Sequence, residues 1–233
     1  MLSILCFFWA CSSEVEKEDN PEDSDTNETE TETEEQLPVT VSVQLLDITG
    51  GDLPAGITLT SDLEEITLDA SSAGEIQVPG NSQFEIMVEA EEYVPHRFTA
   101  MAGEEDLSLV SFFAAENLSL AMYGMLDLEA NPEKGILVVA VDNPDLSPAV
   151  GAAVSIDTEH DGAFVMAGMG VDFSNIVSAF GGFVAFPNVA PGETSIEITP
   201  PEGKTCWFHA AGDEGATVEI ATGQATVAFF ICD

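Results

Sequence analysis

Between Gly135 and Ile198 the apolar residues come in short runs, each closed by a turn signal, and this spacing constrains the fold more than any other feature of the chain. GILVVAVDNPDLSPAVGAAVSI holds two β-rich runs on either side of an Asn-Pro-Asp turn. GGFVAFPNVAPGETSIEI holds two more around Pro191-Gly192. Short β-rich runs separated by Gly, Pro and Asn clusters read as the strands of a sandwich.

The pattern occurs twice. Val41 to Gly56 aligns with Ile136 to Gly151 at an offset of 95, and Gly74 to Val78 aligns with Gly182 to Phe186 at an offset of 108, so the second copy carries an insertion. Phe84 to Val88 then matches Thr194 to Ile198, and LVSFFAA matches TVAFFIC. Four matched runs in the same order indicate a tandem repeat. On GILVVAV, PAVGAAVSI and GGFVAFPNVAPG the second copy resembles the carboxypeptidase regulatory-like, or transthyretin-like, β-sandwich. Tyr93-Val94-Pro95 is similar to that family's G-Y-x-P edge, with Glu92 in place of its glycine. The resemblance implies an all-β chain built of two tandem small antiparallel β-sandwich domains, Ig-like or transthyretin-like in type. It implies little about function, since such modules serve as spacers, stabilisers and binding domains alike.

The domains are expected at 37–115 and 134–233, with the breaker cluster Asn131-Pro132-Glu133-Lys134 at the boundary. In the connection, 116–133, the residues Leu118, Leu120, Met122, Leu126 and Leu128 share one phase around Gly124, which reads as a strand or hairpin facing a core.

Charge excludes whole classes of partner. Forty-three acidic residues against four basic ones give a formal net charge of −39, which repels nucleic acid and anionic lipid headgroups. A dense carboxylate surface also keeps an exported protein soluble. Met1 to Ala10 is apolar, too short to span a bilayer and long enough for the core of an export signal, 1–11. Ala10-Cys11-Ser12-Ser13 resembles a bacterial lipobox. That resemblance implies that Cys11 is acylated and becomes the mature N-terminus, and Ser12 implies an outer-membrane or cell-surface destination. From 12 to 36, Glu and Asp alternate with Thr, Ser and Asn; such a segment buries too little apolar area to order itself and is expected to be a disordered acidic stalk.

The insertion, roughly Asp157 to Ser178, carries the binding expectations, because insertions on a sandwich form loops at one end. Asp157, Glu159 and Asp161 precede Gly162 at alternate positions, a partial likeness to the start of a calcium loop, where hard oxygen ligands surround Ca²⁺. A polar hairpin turn accounts for the same residues, and Gly168 stands where an EF-hand loop has its bidentate carboxylate. Met166 and Met169 offer thioethers to copper or fill a core gap. Catalytic motifs are absent: the chain has no Gly-x-Ser-x-Gly, no phosphate-binding glycine loop, no His-Glu-x-x-His and no Cys-x-x-Cys.

Cys206 and Cys232 remain once the leader is set aside. In an exported chain they are expected to be bonded to each other, which requires that the strands carrying them pair or face one another. The combined expectation is a non-enzymatic, lipid-anchored protein of the cell envelope without a cofactor. Its partners would be the membrane, through the anchor, and an envelope protein or polysaccharide; a calcium-dependent surface or adhesion protein, with its Ca²⁺ loop at 157–162, is the alternative.

Overall fold

A computed structural model describes residues 37–47, 50–69, 71–168, 170–209 and 215–233, so Cys11 and the acidic 12–36 segment lie outside the described residues. The first half forms β1 (Pro38–Asp47), β2 (Thr58–Thr60), β3 (Glu65–Thr67), β4 (Ala73–Pro79), β5 (Gln83–Glu89), β6 (His96–Met101) and β7 (Leu107–Phe113), then the helix α1 (Glu116–Met125). The second half forms β8 (Gly135–Asp142), β9 (Ala153–Ile156), β10 (Phe164–Ala167), β11 (Gly170–Phe173) and β12 (Phe183–Val189). It closes with β13 (Gly192–Thr199), β14 (Cys206–Phe208), β15 (Gly215–Ile220) and β16 (Ala225–Cys232).

The pairings repeat as the sequence does. β1 lies between β4 and β7, and β8 lies between β12 and β16. β5 is flanked by β2 and β6, and β13 by β9 and β15. The four runs matched in sequence thus occupy equivalent places in the two copies: β1 and β8, β4 and β12, β5 and β13, β7 and β16. The insertion of the second copy is the β10–β11 hairpin at the sheet edge. Within each copy the arrangement departs from a wholly antiparallel sandwich, since the first and last strands of each copy pair in parallel. Only a hairpin forces antiparallel neighbours, and the last strand reaches the first by crossing from the opposite sheet.

The halves share a sheet. Two three-stranded sheets, β4-β1-β7 and β15-β13-β9, flank a ten-stranded sheet of order β11-β10-β12-β8-β16-β6-β5-β2-β3, with β14 also on β16. β16 sits at the join, pairing in parallel with β8 on one edge and with β6, through Ala225–Ala228, on the other. Successive side chains of a strand point to opposite faces. Val227 and Phe229 accordingly enter the core under β4-β1-β7, whereas Ala228, Phe230 and Cys232 enter the core under β15-β13-β9. Each such large side chain contributes about 1.5–3 kcal/mol by leaving water. On the polar face, Arg97 of β6 lies 3.6 Å from both Glu85 and Glu219, and Gln83 donates to the Thr217 carbonyl, so β5 and β15 are also tied across the halves.

Residues 116–125 are helical, which corrects the strand or hairpin expected there. Leu118, Met122 and Leu126 are four residues apart, a spacing common to a two-residue and a 3.6-residue period. Leu120 decides between them: it would share their face in a strand, but it stands 61% exposed on the far side of the helix. Asp127, in the left-handed conformation at φ 56°, ends the helix.

Cys206 and Cys232 stand directly opposite each other in the β14/β16 register and are disulfide-bonded, with Cα atoms 4.0 Å apart. The bond fixes the end of the strand that joins the halves. Closing a 26-residue separation is worth about 3.5 kcal/mol through the unfolded chain. A Cys206→Ser, Cys232→Ser double variant is expected to lose about that much stability in urea denaturation, and a loss below about 1 kcal/mol would show that the staple does not constrain the fold.

Candidate functional site

Five strands of the shared sheet lay alternate side chains on one floor, and at three places the residue is alanine: Ala140 of β8, Ala185 of β12 and Ala225 of β16. The roof comes from the first half, where Phe112 of β7, Ser119, Met122 and Tyr123 of α1 and Leu126 just past its end lie over the alanines. Small residues below and a helix above leave a mostly apolar cavity of about 110 Å³, partly open to solvent. Phe112 meets Phe183 edge-on at a centroid distance of 6.0 Å, so one wall is a contact between the two halves.

Three titratable side chains line this apolar space: His96, Asp142 and Tyr123, whose hydroxyl is pushed above its ordinary pKa by burial. His96 is fully enclosed; its Nδ1 lies 2.7 Å from the Val94 carbonyl, and its ring meets Phe113 edge-on at 4.9 Å. Burial pushes its pKa down to about 4, so the ring is neutral at ordinary pH. Asp142 ends β8 at the rim, and burial alone pushes its carboxyl up to about 7. Gly182 makes room for it: a Cβ there would stand 2.7 Å from Asp142 Oδ1, and the backbone has φ +65°, which glycine adopts without strain.

Behind the helix, Asn188 is a buried hub. It occupies a break in the β12/β8 register at φ 51°. Its Nδ2 donates to Asp161 Oδ2 at 2.7 Å and to the Glu129 carbonyl at 2.9 Å, and its Oδ1 accepts from the Asn131 amide at 2.9 Å. The backbone N–H of Asn188 donates to the Tyr123 hydroxyl at 3.4 Å. The side chain thereby ties the connection after the helix to the loop of the insertion, and the backbone N–H of the same residue reaches the helix.

The three carboxylates expected at a calcium loop are engaged separately. Asp157 accepts from the Ser195 amide and the Thr158 hydroxyl, Glu159 pairs with Lys134 at 3.1 Å, and Asp161 serves Asn188. Among the described residues no three metal-ligating side chains converge. The polar turn that they build is tied to β13, to Lys134 and to Asn188 by these three carboxylates. Met166 packs against the small cluster of Leu126, Phe164 and Phe183, and Met169 lies outside the described residues. Cys11, the expected lipidation site, also lies outside them.

The cavity itself was not read in the sequence. Its signal was present as alanines alternating with large apolar residues in GILVVAV and GGFVAF, but the roof depended on a helix read as a strand. Asn188 stood inside the PNVAPG motif without showing its hydrogen bonds.

No family model matches the chain, and no curated protein matches it. Among solved structures it is similar to the TIE protein of Bacillus anthracis, at 12% identity and TM-score 0.28, covering 84% of this chain and 34% of that one. The chain thus spans about a third of that protein's length. It is also similar to a minor pilin of Streptococcus agalactiae, at 9% identity and TM-score 0.30, covering 83% of this chain and 95% of that one. A third likeness, to the shaft pilin of Lactobacillus rhamnosus GG, has 8% identity and TM-score 0.27, covering 84% and 97%. At scores this low the likeness carries no argument, and the β-sandwich fold rests on the chain's own topology.

Two predictions follow from the local chemistry. The folded protein holds the Asp142 proton up to pH about 7, whereas an unfolded chain releases it near 3.8, so this group's effect on stability worsens as pH rises between those values. His96 works oppositely, costing stability as pH falls from about 6.5 towards 4. Asp142→Asn is expected to stabilise the protein by roughly 2–4 kcal/mol at pH 8 and by almost nothing at pH 4 in denaturant titrations; a gain independent of pH would contradict the assignment. Asn188→Ala is expected to cost about 3 kcal/mol, and Asn188→Gly, which tolerates the left-handed backbone, about 2 kcal/mol.

Proposed function

We propose that the protein is an exported, non-enzymatic module of the cell envelope, anchored through an acylated Cys11 and held off the membrane by the acidic 12–36 segment. Its two sandwiches are of the carboxypeptidase regulatory-like type, and its partner is another envelope protein. The observation that carries this reading is on the insertion and just past it: Phe173, Ile176 and Phe180, close together in sequence, are 62%, 49% and 70% exposed. Large apolar side chains kept in water on an inserted segment mark a contact surface. An apolar surface favours protein over polysaccharide, whose hydroxyls call for hydrogen-bonding groups.

Two of the three histidines are engaged in structural contacts, in keeping with this role. His96 and His160 each place Nδ1 within 2.8 Å of a backbone carbonyl and set the ring against a phenylalanine. Neither is aimed at a nucleophile.

The test uses the native host. Mass spectrometry is expected to find acylated Cys11 at the mature N-terminus. A variant with Phe173, Ile176 and Phe180 all replaced by Ser is expected to keep its folding stability within about 1 kcal/mol and to lose cross-linking to its envelope partner. An unmodified peptide reading across Cys11 would refute the anchor, and undiminished cross-linking would refute the contact surface.

A further inference from the structure

We propose that the cavity beneath α1 binds a small primary amine, with its apolar body on the alanine floor and its ammonium group on Asp142. Volume comes first. The enclosed space of about 110 Å³ is smaller than the roughly 150 Å³ that takes a whole benzene ring, but the cavity is partly open, so a ring enters it with its substituent left at the rim where Asp142 stands. Phe112, Phe164, Phe183 and Tyr123 bring aromatic faces and edges to it, which favour an aromatic occupant over an equally large aliphatic one.

Charge then selects the head group. No lysine or arginine lines the cavity, so an anionic ligand would meet Asp142 with no cation beside it. The other titratable groups of the lining are His96, whose Nδ1 is engaged by the Val94 carbonyl, and Tyr123, whose hydroxyl accepts from the Asn188 amide and stays neutral because burial raises its pKa. The net charge of −39 raises the local concentration of cations around the whole chain.

The third observation is the state of Asp142 itself. Among the described residues no side-chain hydrogen bond or ion pair reaches its carboxyl group, although Gly182 is shaped to let it sit there. A desolvated carboxylate without a partner is a standing cost to the fold. An ammonium ion removes that cost and gains a charge-assisted hydrogen bond in a setting where water competes poorly. An alcohol of the same shape gains the apolar contacts alone.

The experiment is calorimetric titration of the full chain with benzylamine and with benzyl alcohol. Benzylamine is expected to bind saturably at one site, at least tenfold more tightly than benzyl alcohol at pH 8. Its affinity should fall about tenfold per unit of pH below 7, as Asp142 takes up its proton. Asp142→Asn is expected to bring the two ligands within about twofold of each other. Ala140→Leu, which fills the floor and leaves the carboxylate, is expected to abolish both. Equal binding of the two ligands to the unaltered chain, a preference for benzylamine that survives Asp142→Asn, or no saturable binding would each overturn the proposal. The second of these outcomes would place the ammonium elsewhere on the acidic surface.

Discussion

Everything in this structure depends on the burial of β16 from both faces. A strand reading ATVAFFIC has no side that tolerates water, so it must lie between two cores, and a single small sandwich supplies just one. The chain meets this demand by placing the last strand of the second copy beside the sixth strand of the first. Val227 and Phe229 then complete one core while Ala228, Phe230 and Cys232 complete the other. The equivalent strand of the first copy, β7, is different. Leu107, Leu109 and Phe113 are buried in the first core, whereas Phe112 points into the cavity between the halves.

That asymmetry creates the cavity. Joining the first copy's β6 to the second copy's β16 leaves the outward face of β8, β12 and β16 in need of a cover, and the cover available is the connection between the copies. As a helix, residues 116–125 present Met122, Tyr123 and, just past the end, Leu126 to that face. A helix packs on a sheet over a broad area but does not fill the hollows above alanines, since its own side chains are spaced by its 1.5 Å rise and not by the strand repeat. The hollow above Ala140, Ala185 and Ala225 is therefore a product of mismatched periods, and Asp142 at its rim is desolvated by apolar neighbours on a strand whose other residues need them.

The repeat and the disulfide were legible in the sequence because both depend on local signals. Alternation and turn residues place β1, β4, β5, β8, β12 and β13 without reference to anything distant, and two cysteines in an exported chain have few alternatives. The helix was illegible because Leu118, Met122 and Leu126 satisfy either period, and the difference rests on Leu120, which a sequence cannot show to be exposed. The sharing of β16 was out of reach for another reason: TVAFFIC announces burial on both faces but not the identity of its second neighbour. Asp157, Glu159 and Asp161 were ambiguous in the sequence, since alternate carboxylates before a glycine serve a polar turn as readily as a metal, and in this chain each has a different partner. Asp142 gave no signal at all, because in so acidic a sequence one aspartate at a strand end is indistinguishable from the rest.

The scarcity of basic residues sharpens the meaning of where they stand. Twelve of the forty-three acidic residues fall before Leu37, together with Lys17, so the folded part has Arg97, Lys134 and Lys204 as its cations. Arg97 lies between Glu85 and Glu219 at the join of the halves, Lys134 reaches Glu159 across the polar turn, and Lys204 donates to Asn143 Oδ1, one residue beyond Asp142. Arg97 and Lys134 are largely covered while their carboxylate partners stand in water, and separations of 3.1–3.6 Å to exposed carboxylates make pairs that contribute little to stability. Attraction between charges therefore cannot hold the two sandwiches together against the repulsion of the remaining carboxylates. That task falls to the apolar strand between them, and the covalent staple at Cys232 secures the end of the strand on which it rests.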